Sequence, residues 1–384
     1  MTATADPTLV APGAFDRQSS LRAVERACGE LRRGDPVLVR PDYGPALLAH
    51  GVEALTDGAI ARMRELTGVP PALVITVQRA AALGLCGEQA GVMAIEPAEL
   101  LSADLVRRIS DPTEPIDAAL VATLPSRSFA PTSRDGAVAV ARLAKLARLL
   151  PAAVIAPVER PLATERLVAR LDILSVSAFD IDHYEHHAAR SLTRVADARV
   201  PLAGAPETRI IAFRPVDGGQ EHLAIVIGQP EADAPVLARL HSQCFTGDLL
   251  GSLRCDCGQQ LRGAIAEIAR QGSGMLLYLA QEGRGIGLIN KLRAYRLQDG
   301  DFDTVDANEM LGYDADERIY LPAAEMLRHL GFRTVKLMTN NPDKVEQLAR
   351  FGIEVAERVP HAFPANGHNE FYLGTKRRRS GHIL

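Results

Sequence analysis

A mixed α/β protein of two domains, each a mixed sheet with flanking helices, is what three features of the sequence predict. At 384 residues the chain exceeds one typical domain and suits two, each able to bury its own core. Its first half alternates helix-like and strand-like apolar patterns. Its second half opens with β-like runs and continues as strand and helix in turn.

The elements follow in order. Leu21, Val24, Ala27, Cys28 and Leu31 recur at helical spacing between Ser20 and Gly34, and Pro36 to Val39 reads as a short buried strand. Ala59–Leu66 (helix), Ala72–Val77 (strand), Gly136–Leu149 (helix) and Ala152–Val158 (strand) continue the rhythm, with Pro-bearing turns between them. Between Asp180 and Pro206 the period is lost, and Pro201, Gly204 and Pro206 place an interdomain linker there. The predicted organisation is a tail over 1–17, a first domain over 18–195 and a second over 196–384. Strands are expected at Arg209–Phe213, His222–Ile227 and Val236–Leu240, and a helix near Gln259–Gln271. A strand at Met275–Leu279, a Gly-rich turn, a helix from about Leu288 to Gln298 and a helical stretch on to Leu330 come next. A strand at Val335–Met338 and a helix at Pro342–Phe351 complete the series.

Composition excludes several function classes. Charged residues are 23% and the net charge is only -4, so no global field favours nucleic acid or an anionic membrane as partner. No apolar run approaches the ~20 residues that span a bilayer, and Met1 to Gly13 lacks a basic stretch followed by an apolar one. A cytoplasmic protein is the expectation. Five cysteines in such a chain do not read as a disulfide framework.

Cys244, Cys255 and Cys257 lie in a polar loop with Thr, Gly, Asp and Ser around them. Cys255 and Cys257 can bind one ion from a tight turn, and glycines at 247 and 251 let Cys244 close from the other side. Three thiolates leave a corner of a tetrahedral zinc for water, whereas a fourth ligand from afar would make the site structural. Arg254 could help to hold thiolates. Cys28 and Cys86 read as small buried hydrophobes. Glu282-Gly-Arg-Gly-Ile-Gly287 follows a strand and opens a helix, so backbone N–H groups, the helix N-terminus and Arg284 could cradle an anion. Thr339-Asn-Asn-Pro-Asp-Lys344 follows another strand and precedes another helix, bringing a hydroxyl and an ammonium to a second such edge. Asp182, His183, Glu185, His186 and His187 look metal-like but read as solvated linker residues, and Lys376–Arg379 as a solvated end.

Arg239-Leu-His-Ser-Gln-Cys244, Ser252-Leu-Arg-Cys-Asp-Cys-Gly258, Gln281-Glu-Gly-Arg-Gly-Ile-Gly287, Asn290-Lys-Leu-Arg-Ala-Tyr295 and Thr339-Asn-Asn-Pro342 together closely resemble GTP cyclohydrolase II. The resemblance runs from near Arg209 to Leu384. It implies conversion of GTP to a diamino-ribosylaminopyrimidinone 5'-phosphate, formate and pyrophosphate, the first step of riboflavin synthesis, by a homodimer. Cys244, Cys255 and Cys257 would hold one Zn²⁺ per chain, with hydrolysis at C8 of the guanine and Mg²⁺ accompanying the triphosphate. The implied GTP contacts are Arg239, Leu240, His241, Ser242, Gln243, Gln260, Glu282, Gly283, Arg284, Thr304, Thr339 and Lys344. Asp316 would accept a proton, Arg318 would attack the α-phosphate, and Tyr295 would serve ring opening and formate loss. An arginine nucleophile is unusual, because its pKa above 12 keeps it protonated. Without the resemblance, Asp316 and Arg318 read as a solvent-side helix ion pair and Tyr295 as a core aromatic. Gln243 departs from the family's usual glutamate, removing a negative charge beside metal and guanine.

The first half more faintly resembles 3,4-dihydroxy-2-butanone 4-phosphate synthase, on Ala137–Leu146 and Pro151–Ile155. Its catalytic parts differ. Arg40-Pro-Asp-Tyr-Gly44 stands where that family has an acidic run, and Thr132-Ser-Arg-Asp135 replaces a His-bearing turn. A scaffold without synthase activity is expected. Two other readings stand beside the cyclohydrolase: a paralogue that retains the formyl group or serves another pyrimidine pathway, and a nucleotide-binding regulator without turnover.

Overall fold

The computed structural model describes residues 12–85, 91–96, 102–129, 135–159, 168–300, 302–361 and 379. Cys86, residues 132–134 and residues 376–378 lie outside that set.

The first half runs α1 (Pro12–Arg33), β1 (Val37–Arg40), β2 (Ala46–Gly51), α2 (Asp57–Thr67), β3 (Ala72–Thr76), α3 (Val77–Ala82), β4 (Val92–Ile95), α4 (Ala103–Ser110), α5 (Ala118–Ala122), β5 (Ser126–Phe129), α6 (Gly136–Leu146), β6 (Ala152–Val158), β7 (Ser175–Ser177) and α7 (Ala178–Arg190). Its strands form one sheet in the order β5-β4-β3-β6-β2-β1-β7, antiparallel except where β1 meets β7. Side chains alternate across it. Leu38, Leu73, Ile75 and Val154 enter one core, and Val37, Val39, Val74, Ala153 and Ile155 the other. Both faces are covered, which is why these strands read as continuous apolar runs. Helix α6 buries Ala137, Ala139, Val140, Ala141 and Leu143 in the second core. The Asp135 carboxylate caps it by accepting from the Ala137 N–H at 2.8 Å, a bond that contributes about 1 kcal/mol.

The second half runs β8 (Thr193–Arg199), β9 (Thr208–Arg214), β10 (His222–Ile227), β11 (Val236–Ser242), α8 (Cys257–Gln271), β12 (Gly274–Leu279), α9 (Gly287–Gln298), α10 (Thr304–Met310), α11 (Leu321–His329), β13 (Thr334–Met338), α12 (Pro342–Arg350) and β14 (Glu354–Val359). The sheet order is β14-β13-β11-β12-β10-β9-β8. Its first four strands are parallel, and the last three continue antiparallel. Both halves are mixed sheets flanked by helices, as expected.

The halves also share a core. Ile286, Ala294, Leu297, Ala307, Leu311 and Tyr313 pack in the cluster that holds Leu48, Leu73 and Ile109 of the first half. Arg293 pairs across the junction with Glu53 at 3.1 Å and Asp111 at 3.0 Å.

Three expectations are corrected. Helix α1 starts at Pro12, inside the predicted tail. The expected linker folds instead as α7 and β8: Ala178, Ile181 and Ala189 are buried, and the polar residues between them lie on the other side of the helix. There Asp182 pairs with Arg142, and Glu185 lies 3.6 Å from the same guanidinium. The helical stretch to Leu330 is broken between Met310 and Leu321, so Asp316 and Arg318 lie on a loop. Gly312 at φ 88° turns the chain out of α10, and the Asp316 carboxylate accepts from the Arg318 N–H at 3.1 Å, a local bond that competes with helix.

A candidate metal and nucleotide site

Strands β11, β12 and β13 run parallel, so all three C-terminal ends reach one edge of the sheet. From β11 the chain passes to β12 on one side and then to β13 on the other, which makes that edge a topological switch point where α/β sheets hold ligands. The polar turns after these strands are Gln243–Cys244, Gln281–Arg284 and Thr339–Asn341.

Beyond β11 a π-type turn (Phe245–Leu249) folds the cysteine loop back on itself. The sulfur atoms of Cys244, Cys255 and Cys257 all lie within 4.8 Å of one another, and Cys244 Sγ is 3.7 Å from Cys255 Sγ. A tetrahedral ion with Zn–S bonds of about 2.3 Å sets its sulfurs about 3.8 Å apart, so the trio fits zinc. Among the described residues no other group of His, Cys, Asp or Glu is gathered in this way. Glycine makes the cradle possible. A Cβ on Gly247 would stand 2.7 Å from Cys255 Sγ, and one on Gly258 would stand 2.2 Å from the Gly247 carbonyl oxygen.

Three thiols this close compete for protons. Hydrogen bonds from Cys255 and Cys257 hold Cys244 far below the ordinary thiol range, with the Lys291 charge assisting, and the bond to Cys244, with burial, pushes Cys255 up to about 11. Lys291 Nζ donates to Cys244 Sγ at 3.0 Å, to Thr246 Oγ1 at 3.0 Å and to Glu282 Oε1 at 2.8 Å. Burial pulls this ammonium down, but the Cys244 thiolate and Glu282 outweigh it and keep it charged. The loop is braced from behind as well. Asp248 accepts from the Cys244 N–H at 3.0 Å and the Tyr278 hydroxyl at 2.9 Å, and lies 3.0 Å from His241 Nε2.

The pocket beside the cysteines is lined by every residue expected to touch GTP, together with Tyr295 and Arg318. Arg239 is fully desolvated, which lowers its guanidinium to about 10 and leaves it charged at neutral pH. It donates to Gln260 Oε1 and, at 2.8 Å, to the Met338 carbonyl, but its Nε–H is buried without a partner, as is the Tyr320 hydroxyl. Lys344 Nζ donates to the Leu240 carbonyl at 2.9 Å, and Thr339 Oγ1 accepts from the Asn341 N–H at 3.0 Å. Ser242 Oγ lies 3.5 Å from Arg318 Nη1, while Gln243 is anchored through its N–H to the Leu279 carbonyl at 2.8 Å.

Across from them, Glu282 accepts from the Phe245 N–H at 2.6 Å and the Gly283 N–H at 3.1 Å. Gly283 and Arg284 adopt left-handed φ values of 63° and 60°, and Arg284 donates to the Ala315 carbonyl at 3.2 Å. Left-handed backbone at a non-glycine residue costs of order 1 kcal/mol and is found at ligand sites. Thr304 opens α10 and accepts from Gln298 at 3.1 Å. The Tyr295 hydroxyl lies 3.3 Å from Thr246 Oγ1.

Asp316 stands behind Arg318 and does not line the pocket. Its two oxygens accept from Arg318 Nε at 2.8 Å and Nη2 at 2.5 Å. Burial raises this carboxyl, but the Arg318 charge and hydrogen bonds, with Arg284, outweigh burial and hold it below the usual range. The pocket also contains residues that sequence reasoning did not single out: Lys291, Asn308 and His361, whose Nε2 lies 2.9 Å from the Gln260 carbonyl. Lys291 stands in a recognisable motif, but its partners Cys244 and Glu282 are distant in sequence.

Residues 193–360 match the family model described as GTP cyclohydrolase II. The chain is 58% identical over 368 residues to the GTP cyclohydrolase-2 of Azospirillum brasilense, spanning 96% of this chain and 95% of that one. It is 53% identical over 194 residues to the GTP cyclohydrolase-2 of Pseudomonas paraeruginosa, which accounts for 50% of this chain and 94% of that relative. A crystal structure of a two-domain 3,4-dihydroxy-2-butanone 4-phosphate synthase from A. baumannii aligns over 88% of this chain and 99% of its own, with 16% identity and a TM-score of 0.36. With the cysteine trio at the switch point and a full-length relative at this identity, the chain belongs to the GTP cyclohydrolase II family.

Proposed function

We propose that this chain is a zinc-dependent GTP cyclohydrolase II that opens the imidazole ring of GTP and releases formate and pyrophosphate. The observation that carries this reading is a three-sulfur cluster of zinc-fitting dimensions on the wall of a pocket ringed by Arg239, Arg284, Arg318 and Lys344. Cys244, Cys255 and Cys257 would hold the zinc, which would supply a Lewis acid for hydrolysis near neutral pH. The cations bind a triphosphate, accompanied by Mg²⁺, and the buried Arg239 Nε–H gains from a ligand the partner it lacks. Lys291 holds the Cys244 sulfur and the Glu282 carboxylate in fixed relation.

Asp316 fixes Arg318 toward the α-phosphate. Their two-bond ion pair favours a charged guanidinium that stabilises departing pyrophosphate over one that attacks phosphorus. Tyr295, beside Thr246, donates to the opening ring. The first half serves as a non-catalytic scaffold. Its cleft is lined by Pro41, Tyr43, Pro45, Pro70 and Pro71 beside Glu96, Asp135 and Glu159, with Arg40-Pro-Asp-Tyr-Gly44 where the synthase-like acidic run would stand.

The test is product analysis of the zinc-loaded chain with GTP. Equal amounts of formate and pyrophosphate are expected. A product that keeps the formyl group would reject the full reaction and trace to Gln243, and no turnover at saturating GTP would favour a nucleotide-binding regulator.

A further inference from the structure

The junction between the halves lies directly behind the loops of the site. Helix α6 of the first half ends there. Lys145, in its last turn, sends Nζ to Glu317 Oε1 at 2.6 Å and to Asp314 Oδ2 at 3.1 Å. Glu317 stands between Asp316 and Arg318, and its own N–H donates to the Arg284 carbonyl at 3.1 Å. The same carboxylate accepts from the Asp314 N–H at 2.7 Å. One ammonium from the first half therefore closes a turn that carries both residues assigned to the phosphate step.

Arg148, just beyond α6, grips the other loop. Its backbone is left-handed at φ 59°, a conformation that a non-glycine residue keeps only where its surroundings impose it. Its guanidinium donates to the Ala280 carbonyl at 2.9 Å, where the Gly-rich turn begins. Its stem covers Gly287, where that turn ends: a Cβ there would stand 3.1 Å from Arg148 Cδ. Its carbonyl accepts from Asn290 Nδ2 at 3.0 Å, and the next carbonyl, of Leu149, accepts from the Tyr313 hydroxyl at 2.5 Å. Thr76 adds a bond to the Gly312 carbonyl at 2.8 Å.

We infer that Lys145 and Arg148 are positioning residues for GTP turnover, through which the first half sets the Asp316–Arg318 loop and the Glu282–Arg284 turn in register. This deepens the cyclohydrolase reading and rests on it. Nothing in the inference requires the first half to bind a substrate. Lys145 touches Glu317 and Arg148 touches Ala280, Gly287 and Asn290, so both act through residues next to those that meet GTP. The Pseudomonas relative matches only half of this chain yet almost all of its own length, so in this chain the junction is an added support.

The test uses the full zinc-loaded chain with Lys145→Met, Lys145→Arg and Glu317→Gln variants, read by formate release and by amide hydrogen exchange. Displacing catalytic groups by a fraction of an ångström lowers kcat by about 10- to 100-fold. Lys145→Met is expected to do so with KM changed less than kcat, because Arg239 and Lys344, which also line the pocket, stay in place. Exchange over residues 311–320 should quicken while β11 and β12 keep their protection. Lys145→Arg should restore most of both effects, and Glu317→Gln should match Lys145→Met without adding to it in the double variant. Unchanged exchange over 311–320 in Lys145→Met, or additive losses in the double variant, would overturn the inference. A wild-type chain that releases no formate would instead defeat the cyclohydrolase reading, and the exchange measurement would still decide the role of Lys145.

Discussion

Among the described residues the two sheets each have seven strands, yet they deliver their turns differently. In the first sheet antiparallel neighbours send successive turns to opposite ends, and the cleft is walled by Pro41, Pro45, Pro70, Pro71 and Pro157, none of which has a backbone N–H to offer. In the second, three parallel strands deliver their turns to one edge, and the wall carries guanidinium, ammonium, hydroxyl and thiol groups. Strand direction gathers donors in one half. In the other, prolines take five lining positions beside Tyr43, Glu96, Arg127, Asp135 and Glu159.

The largest effect that could break this contrast is expected at Gly247. Gly247→Ala puts a methyl group 2.7 Å from Cys255 Sγ and 3.0 Å from Cys244 Sγ, so the trio must spread. Zinc affinity, measured by competition with a chelator, should fall by at least about 100-fold, with formate release falling in step. Next comes Asp316→Asn, which takes the charge from the Arg318 pair without changing its shape. A loss of about 100-fold in kcat is expected, with GTP binding changed little in calorimetry. An unaltered kcat would remove Asp316 from the chemistry.

How much of this was legible in the sequence depended on range. Strands β6 and β10 were readable to the residue, because both bury uninterrupted apolar runs next to turn residues. Cys244, Glu282 and Thr339 were legible because each sits in the turn directly after a strand, where a short motif contains most of its own geometry. Strand β14, Glu-Val-Ala-Glu-Arg-Val, was not, since edge position and charge hide its alternation. Helix α7 reads as linker in the sequence because its His and Asp face dominates the composition while only Ala178, Ile181 and Ala189 are buried. The clasp of Lys145 on Glu317 joins residues 172 apart, and no local pattern announces such a bond.

His222 is held at about 4 by burial and by the charge of Arg148, and its Nδ1 accepts from the Ala280 N–H at 3.1 Å, which requires a neutral ring. A histidine depressed in the folded state favours folding fully above its unfolded pKa of about 6.5, and loses that contribution as pH falls toward 4. Denaturant titrations should show a decline of order 3 kcal/mol across that window, flattened in His222→Asn. A wild-type slope no steeper than the variant's would mean that this ring titrates freely.

The smallest effect is expected in the proline-walled cleft. Asp42→Ala should leave formate release within about twofold, because its neighbours Pro41 and Tyr43 line the first-half cleft and not the second pocket. Ribulose 5-phosphate with Mg²⁺ should yield no product on the full chain. Turnover there would restore to the first half the catalytic role denied it.

The most direct measurement is the zinc content of the purified chain set against its formate release, for wild type and for Cys255→Ser. One zinc per chain with turnover of GTP, and loss of both in the variant, is the result predicted. Active protein without the ion, or a serine variant that still opens the ring at the wild-type rate, would contradict it.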